Sequence, residues 1–297
     1  MVKTVSTTLF CMLLYGILIM PFTRYLHNKP FVEKLGYIPS VTALRIVASD
    51  HKEMAGAALV MKVLMYFGGN AERRQTNIVV DSLDYQGMSR ILHGAVKLDP
   101  YNMDAYYFAQ SFLTWDAKQY KLANNLLDYG MKYRTWDWYL PFFAGFNSAF
   151  FLKDYAAAAG YYQRAGELSG SDLSKLLAGR YMQESGQTEL AIAYLTVMEH
   201  GEKNETLKRS YRTRLAAFKV VRRIELARDR FKEARGVLPA TVEQLIQGGF
   251  LAPLPVDPYG GTFYLDPDGK VATTSKFAFA GVKNEKRQNT GESNEPH

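Results

Sequence analysis

The sequence predicts an all-α fold: stacked helical hairpins forming a solenoid, an apolar helix in front that crosses a membrane, and a small β-hairpin behind. Three observations point there. Residues 5–22 form an uncharged, mostly apolar run. A pattern of small and large residues then recurs at intervals of 35 and 33 positions. Near the end, proline, glycine and aspartate cluster around two short β-prone runs. With 297 residues, 47% of them hydrophobic, the chain can bury a sizeable core.

Residues 1–25 read as a transmembrane anchor. "MVKTVSTTLFCMLLYGILIMPFTRYLHNKP" opens with Lys3 and stays uncharged to Phe22, close to the shortest helix that spans a bilayer. A cleaved signal peptide wants small residues at its cut site, and Met20-Pro21-Phe22-Thr23-Arg24 offers none. Cys11 follows Thr8-Leu9-Phe10, a poor setting for lipid attachment, and a single cysteine forms no internal disulfide. Lys3 precedes the run and Arg24, Lys29 and Lys34 follow it, so charge specifies orientation weakly. The expected placement is a single pass of an inner membrane with the bulk of the chain periplasmic. Residues 26–53 read as a linker.

The repeat covers residues 54–201. "KQYKLANNLLDYGMKY" (118–133), "KDYAAAAGYYQRAGEL" (153–168) and "GQTELAIAYLTVMEHG" (186–201) align on Ala123, Ala158 and Ala191. Four positions later stand Leu127, Tyr162 and Leu195. "SRILHGAVKLDPYN" (89–102) is a weaker copy, with Leu92, Ala95 and Pro100 in the same order. Ala144-Gly145 and Ala178-Gly179 are paired small residues preceding two of the copies. This spacing resembles the tetratricopeptide repeat, a helix–turn–helix unit of about 34 residues. The match is degenerate: Gly130 and Met198 replace a later small residue, Ala109-Gln110 is displaced by one, and "GGNAERRQTN" (68–77) interrupts the first copy.

The resemblance implies an inner surface lined by the first helix of each unit, suited to extended peptides. Placed on this sequence, it offers Asp104, Tyr107, Ser111 and Trp115, then Phe143, Asn147 and Phe150, then Arg180 and Gln183 as protein-binding residues. "RTWDWYLPFFAGFNSAFF" (134–151) is either the tight centre of the array or an exposed docking patch.

Residues 202–236 predict one long basic amphipathic helix. Asn204 is a plausible N-cap and Gly236 a stop, and apolar residues fall in steps of three and four from Leu207 to Ala234. The segment holds twelve basic and five acidic residues, matching the chain's whole net charge of +7. The plain reading is a capping helix with a solvated basic face. The alternative is contact with anionic lipid through Arg212, Arg222, Arg223 and Arg230. Nucleic acid is not expected, because no binding motif accompanies the charge.

Residues 237–282 predict a short helix, Thr241 to Gln247, and a β-hairpin cap built from 262–265 and 270–274 around Asp266-Pro-Asp-Gly269. Asp257, Asp266 and Asp268 invite calcium, but they lack EF-hand spacing and turn chemistry accounts for them. Leu238-Pro239, Leu245, Leu254-Pro255, Asp257-Pro258, Tyr259-Gly260 and Tyr264 resemble the segment after the long helix in major pseudopilins of type II secretion systems. No pseudopilin processing site precedes the apolar run. The whole order of segments is similar to membrane-anchored repeat proteins of deltaproteobacterial type. Residues 283–297 read as a disordered tail.

Catalytic signatures are missing. His27, His51, His93, His200 and His297 are scattered, and no nucleophile elbow, phosphate loop or dinucleotide fingerprint occurs. The expected function is a non-enzymatic protein-binding scaffold, an assembly factor or accessory subunit of a cell-envelope complex such as a pilus, secretion or respiratory machine. Two other readings stay open: docking on anionic lipid through the arginine-rich helix, and a hydrolase with its site in the aromatic centre. No cofactor or metal is expected.

Overall fold

The computed structural model describes residues 2–28, 35–75 and 83–275. The expected tail at 283–297 lies outside them. The chain divides into two compact units, Met1–Ala117 and Lys118–His297. That division falls inside the predicted array, between the two helices of its second repeat.

The first unit holds α1 (Val2–Asn28), α2 (Val41–Ala48), a 3₁₀ turn (Ser49–His51), α3 (Lys52–Gln75), α4 (Tyr85–Leu98) and α5 (Met103–Trp115). The expected anchor forms α1, and Phe10, Met12, Ile17, Leu18 and Met20 are all exposed on it. No helix among the described residues is long and apolar enough to cross a membrane. The side chains of residues 2–9 are outside that description.

The predicted linker 26–53 instead contains α2. Its start is set by Ser40, whose hydroxyl accepts a hydrogen bond from the Ala43 amide (3.2 Å). Arg45 donates to the Lys97 carbonyl (2.6 Å), tying α2 to the end of α4. Residues 68–75 of the expected interruption continue α3, so no break is needed there, and 76–77 lie outside the described residues. α3 and α4 form the first hairpin. Gly56 makes their approach possible: a Cβ there would stand 3.2 Å from the Ala95 carbonyl oxygen. Val60, Val63 and Tyr66 of α3 and Ile91, Leu92, Ala95 and Val96 of α4 are buried.

The second unit runs α6 (Tyr120–Met131), α7 (Tyr139–Phe146), a π-helical turn (Asn147–Leu152), α8 (Tyr155–Ser169), α9 (Asp172–Glu184), α10 (Thr188–Gly201), α11 (Glu205–Arg235) and α12 (Val242–Gln247), then strands β1 (Phe263–Leu265) and β2 (Val271–Thr273). From α6 to α11 each helix packs against its neighbours in sequence. The predicted small anchors Ala123, Ala158 and Ala191 are fully buried, as are Leu127 and Leu195. The paired small residues meet the large ones across each hairpin. A Cβ on Gly145 would lie 3.1 Å from the Tyr162 ring, and one on Gly179 would lie 2.9 Å from Leu195.

α11 matches its expected limits. The Asn204 side chain accepts from the Thr206 and Leu207 amides, and Gly236 ends the helix in the left-handed conformation (φ 74°). Its first half packs Tyr211, Leu215 and Phe218 against Met182, Ala191 and Leu195. Its second half packs Val221, Ile224 and Ala227 against Val242, Leu245, Leu251, Phe263, Leu265 and Val271. The cap therefore folds back on α11. Its antiparallel strands pair Phe263 with Thr273 and Leu265 with Val271; β1 starts one residue later than predicted, and β2 is one residue shorter at each end.

Replacing Gly179 by Val should destabilise the protein by about 1–3 kcal/mol, because the added methyls enter space held by Leu195. Combining it with Leu195→Ala should recover part of that loss. Urea midpoints of the two variants test this, and an unchanged midpoint for Gly179→Val would show the contact to be slack.

Candidate functional site

In the first unit, α3 and α5 lie side by side and enclose an open groove of about 430 Å³. Val60, Met61, Leu64 and Phe108 give it an apolar wall, and Asn102, Asp104, Tyr107 and Ser111 give it a polar edge. Phe108 is held from behind by Phe67, ring edge to face at 5.6 Å. α5 is placed by Asn102, whose side chain accepts from the Ala105 amide (3.2 Å). Asp104 sits in the first turn, where the helix dipole favours a negative charge. Tyr106, on the opposite side, is fully buried and donates to the Pro100 carbonyl (3.0 Å).

The structure thus brings Asp104, Tyr107 and Ser111 together on one groove, at i, i+3 and i+7. Trp115 continues the same exposed face, half open to solvent like Tyr107. Sequence reasoning missed the facing wall from α3. The signal was there: residues 54–67 carry one charge, Lys62, which is more apolar surface than one buried face requires. Met54, Met61 and Met65 are accordingly exposed.

In the second unit the expected residues do not form one surface. Asn147 is fully buried: its amide donates to Asn124 Oδ1 (3.0 Å), and the Asn124 amide donates to the Ala144 carbonyl (3.2 Å) and the Ser148 hydroxyl (3.0 Å). Gln183 is also buried, because it lies one turn from Gly179 and shares its packed face. These two are corrections to the predicted binding set. Phe143 is half-buried against Tyr139 and Phe142. Phe150 is exposed, stacked on Phe146 with the Lys153 ammonium 5.4 Å from its ring centre. Arg180 lies over the Tyr181 ring.

The aromatic centre is part packing and part surface: Tyr139 is buried, Phe142, Phe143, Phe146 and Phe151 are half-buried, and Trp136, Trp138 and Phe150 are exposed. Trp138, Phe142, Tyr162, Tyr181 and Tyr155 touch in series from α7 to α9, with ring centres 5.6–6.0 Å apart. Burial pushes the Tyr162 and Tyr181 hydroxyls above the ordinary phenol range. Tyr194, in a hollow of about 390 Å³ beside Glu167 and Lys175, is pushed up to about 12, first by burial and then by the Glu167 charge. These phenols stay protonated at neutral pH and supply no base.

One end of this series is met by the cap. Lys270, just before β2, donates to the Glu184 carboxylate (2.7 Å) and carbonyl (2.8 Å) and lies 5.4 Å from the Tyr155 ring centre. The end of α9, next to the expected binding residues Arg180 and Gln183, is engaged by the protein's own hairpin.

The arginine-rich face is likewise used internally. Arg212 pairs with Glu199 (2.8 Å) and Arg222 with Glu189 (2.7 Å) and Glu225 (3.5 Å). Arg230 donates to the Leu226 and Phe250 carbonyls. Arg223 is partly buried, with its Nε shielded from solvent. The hairpin aspartates are turn formers. Asp257 accepts from the Tyr259 amide and from the Thr273 and Ser275 hydroxyls, and Asp266 accepts from the Asp268 and Lys270 amides. Among the described residues, no three of His, Cys, Asp or Glu gather as metal ligands would.

No family model matches the chain, and no curated protein does. Solved structures similar to it include a MamA protein, at TM-score 0.37 and 15% identity over 79% of this chain and 98% of that one. YrrB, a TPR protein with an unusual peptide-binding site, matches at TM-score 0.37 and 15% identity over 71% of this chain and 100% of its own. Overlaps this loose say nothing about a ligand here, and the fold rests on the chain's own helix packing.

Asn147→Ala should cost about 1–3 kcal/mol, since it removes a donor from the buried Asn124 oxygen. Adding Asn124→Leu should return part of that. Thermal melts distinguish this structural role from a binding role, which would leave the melting temperature of Asn147→Ala where it was.

Proposed function

We propose that this chain is a non-enzymatic scaffold, held at a membrane by α1, that captures a segment of a partner protein in the α3–α5 groove. The groove carries the reading. It combines an apolar wall, one exposed tyrosine and a polar edge, the composition that favours a side-chain anchor over a reaction. Among the described residues lining it there is no histidine, cysteine or lysine. The partner in this reading is a subunit of a cell-envelope complex, with the chain acting as assembly factor or accessory subunit of a pilus, secretion or respiratory machine. The exposed apolar side chains Phe10, Met12, Ile17, Leu18 and Met20 of α1 support a single-pass anchor in the inner membrane with the bulk of the chain periplasmic. The lipid reading of α11 has less support, because Arg212, Arg222 and Arg230 already hold partners within the protein.

A photoreactive phenylalanine placed at Tyr107 in the full-length protein, irradiated in native membranes, should give a discrete adduct. The same replacement at Lys132, exposed on the second unit, should not. Met61→Glu should weaken the Tyr107 adduct by at least about ten-fold, equivalent to ~1.4 kcal/mol. Equal labelling at both positions, or none at Tyr107, ends the reading.

A further inference from the structure

The first unit exposes apolar side chains that its own folding does not explain. Tyr37, Ile46 and Val47 are 85%, 75% and 84% exposed, among the most open large apolar residues described. They fall within eleven consecutive residues that include all but the last of α2. α2 is fixed to the body of the unit: Arg45 donates to the Lys97 carbonyl, and Ile38 and Val41 lie against Gly94. Ile46 and Val47 are therefore presented by a held helix, and Tyr37 stands open four residues before it.

The chain itself limits what can cover them. α1 ends at Asn28 and α2 begins at Val41. The thirteen steps between them reach at most about 45 Å fully extended. An α1 that spans a bilayer keeps α2 within that distance of the lipid surface at every moment. A surface tethered so closely meets an exposed apolar patch at a high effective concentration. Tyrosine with aliphatic neighbours is also the composition that settles at the boundary between headgroups and acyl chains.

We propose that Tyr37, Ile46 and Val47 are a second membrane contact, which lies in the bilayer interface and fixes the first unit against the membrane that α1 enters. This rests on the anchor reading of α1. The occupant is the lipid surface, and the attraction is apolar rather than electrostatic. Arg45 on α2 and Asp50, Lys52 and Glu53 beside it are exposed and carry two charges of each sign, so they draw no anionic lipid. The contact needs no particular headgroup and survives salt, unlike docking through a basic face. It also gives the α3–α5 groove a fixed height above the bilayer, because α2 packs on both α3 and α4.

The test uses the full chain with Cys11→Ser, spin-labelled at Ile46→Cys or Val47→Cys and placed in phosphatidylcholine nanodiscs. A third variant, Ile17→Cys, reports on α1. The expected result is that collision with a water-soluble nickel chelate falls several-fold at 46 and 47 on insertion, while collision with oxygen rises. Raising sodium chloride from about 0.1 to about 0.5 M leaves both unchanged. Water-like values at 46 and 47 with a lipid-buried label at 17 overturn the contact and keep the anchor. A water-like label at 17 removes the anchor, and the values at 46 and 47 then decide the contact separately. Shielding of 46 and 47 from both reagents, with spin–spin broadening, would assign the patch to a second copy and overturn the proposal. The three labelled positions are exposed, and folding of every variant is checked by unchanged helical circular dichroism.

Discussion

A glycine facing a large side chain across a helix pair sets the spacing on which the second unit depends. Gly145 lies against the Tyr162 ring and Gly179 against Leu195, at distances that leave no room for a Cβ without movement. Close packing at these points brings the flanking alanines Ala158 and Ala191 into full burial. Once the spacing is fixed, polar groups caught inside must find partners there. Asn124, Asn147 and Ser148 do so in one hydrogen-bonded set at the place where α7 widens into its π-helical turn. A helix continuing regularly past Phe146 would carry those groups elsewhere.

α11 extends the same logic over about 46 Å. Its first half closes the last hairpin and its second half forms the floor of the cap, so one helix belongs to two cores. The arginines follow from that position. With carboxylates Glu189, Glu199 and Glu225 and the cap carbonyls within reach, Arg212, Arg222 and Arg230 form hydrogen bonds inside the protein. Exposed pairs of this kind add little stability, and their effect is on where the charge points. Arg212 and Arg222 therefore present less free positive charge than the composition of the helix suggests.

The α3–α5 groove differs from the second unit in what is left open. The helix that faces α5 retains Met61 and Leu64 on its surface, and methionine is suited to surfaces that must accept varied shapes. In the second unit the corresponding aromatic residues have one another as partners, from Trp138 through to Tyr155, and Lys270 completes the series. Asp104, Tyr107 and Ser111 were offered by the resemblance to the repeat, and their helical spacing places the three on one face. Asn147 and Gln183 were placed on the inner surface by the same resemblance, whereas the phase set by Ala144 and Gly179 turns them inward. α2 was missed because its eight residues are too few for periodicity to register, and only Ser40 marked it.

By itself the sequence determined what depends on neighbours along the chain. The repeat spacing, the caps of α11 at Asn204 and Gly236, the short helix after Thr241 and the hairpin around Asp266–Gly269 are all local matters of period and turn chemistry. The tertiary structure decided what depends on distant neighbours: which polar residues are buried, which arginines are already paired, and which apolar faces stay open. The reason is physical. Backbone conformation responds to residues a few positions away, but the fate of a side chain turns on what another helix places within a few ångströms of it. Glu189 and Arg222, thirty-three positions apart and 2.7 Å from contact to contact, could not be joined from sequence.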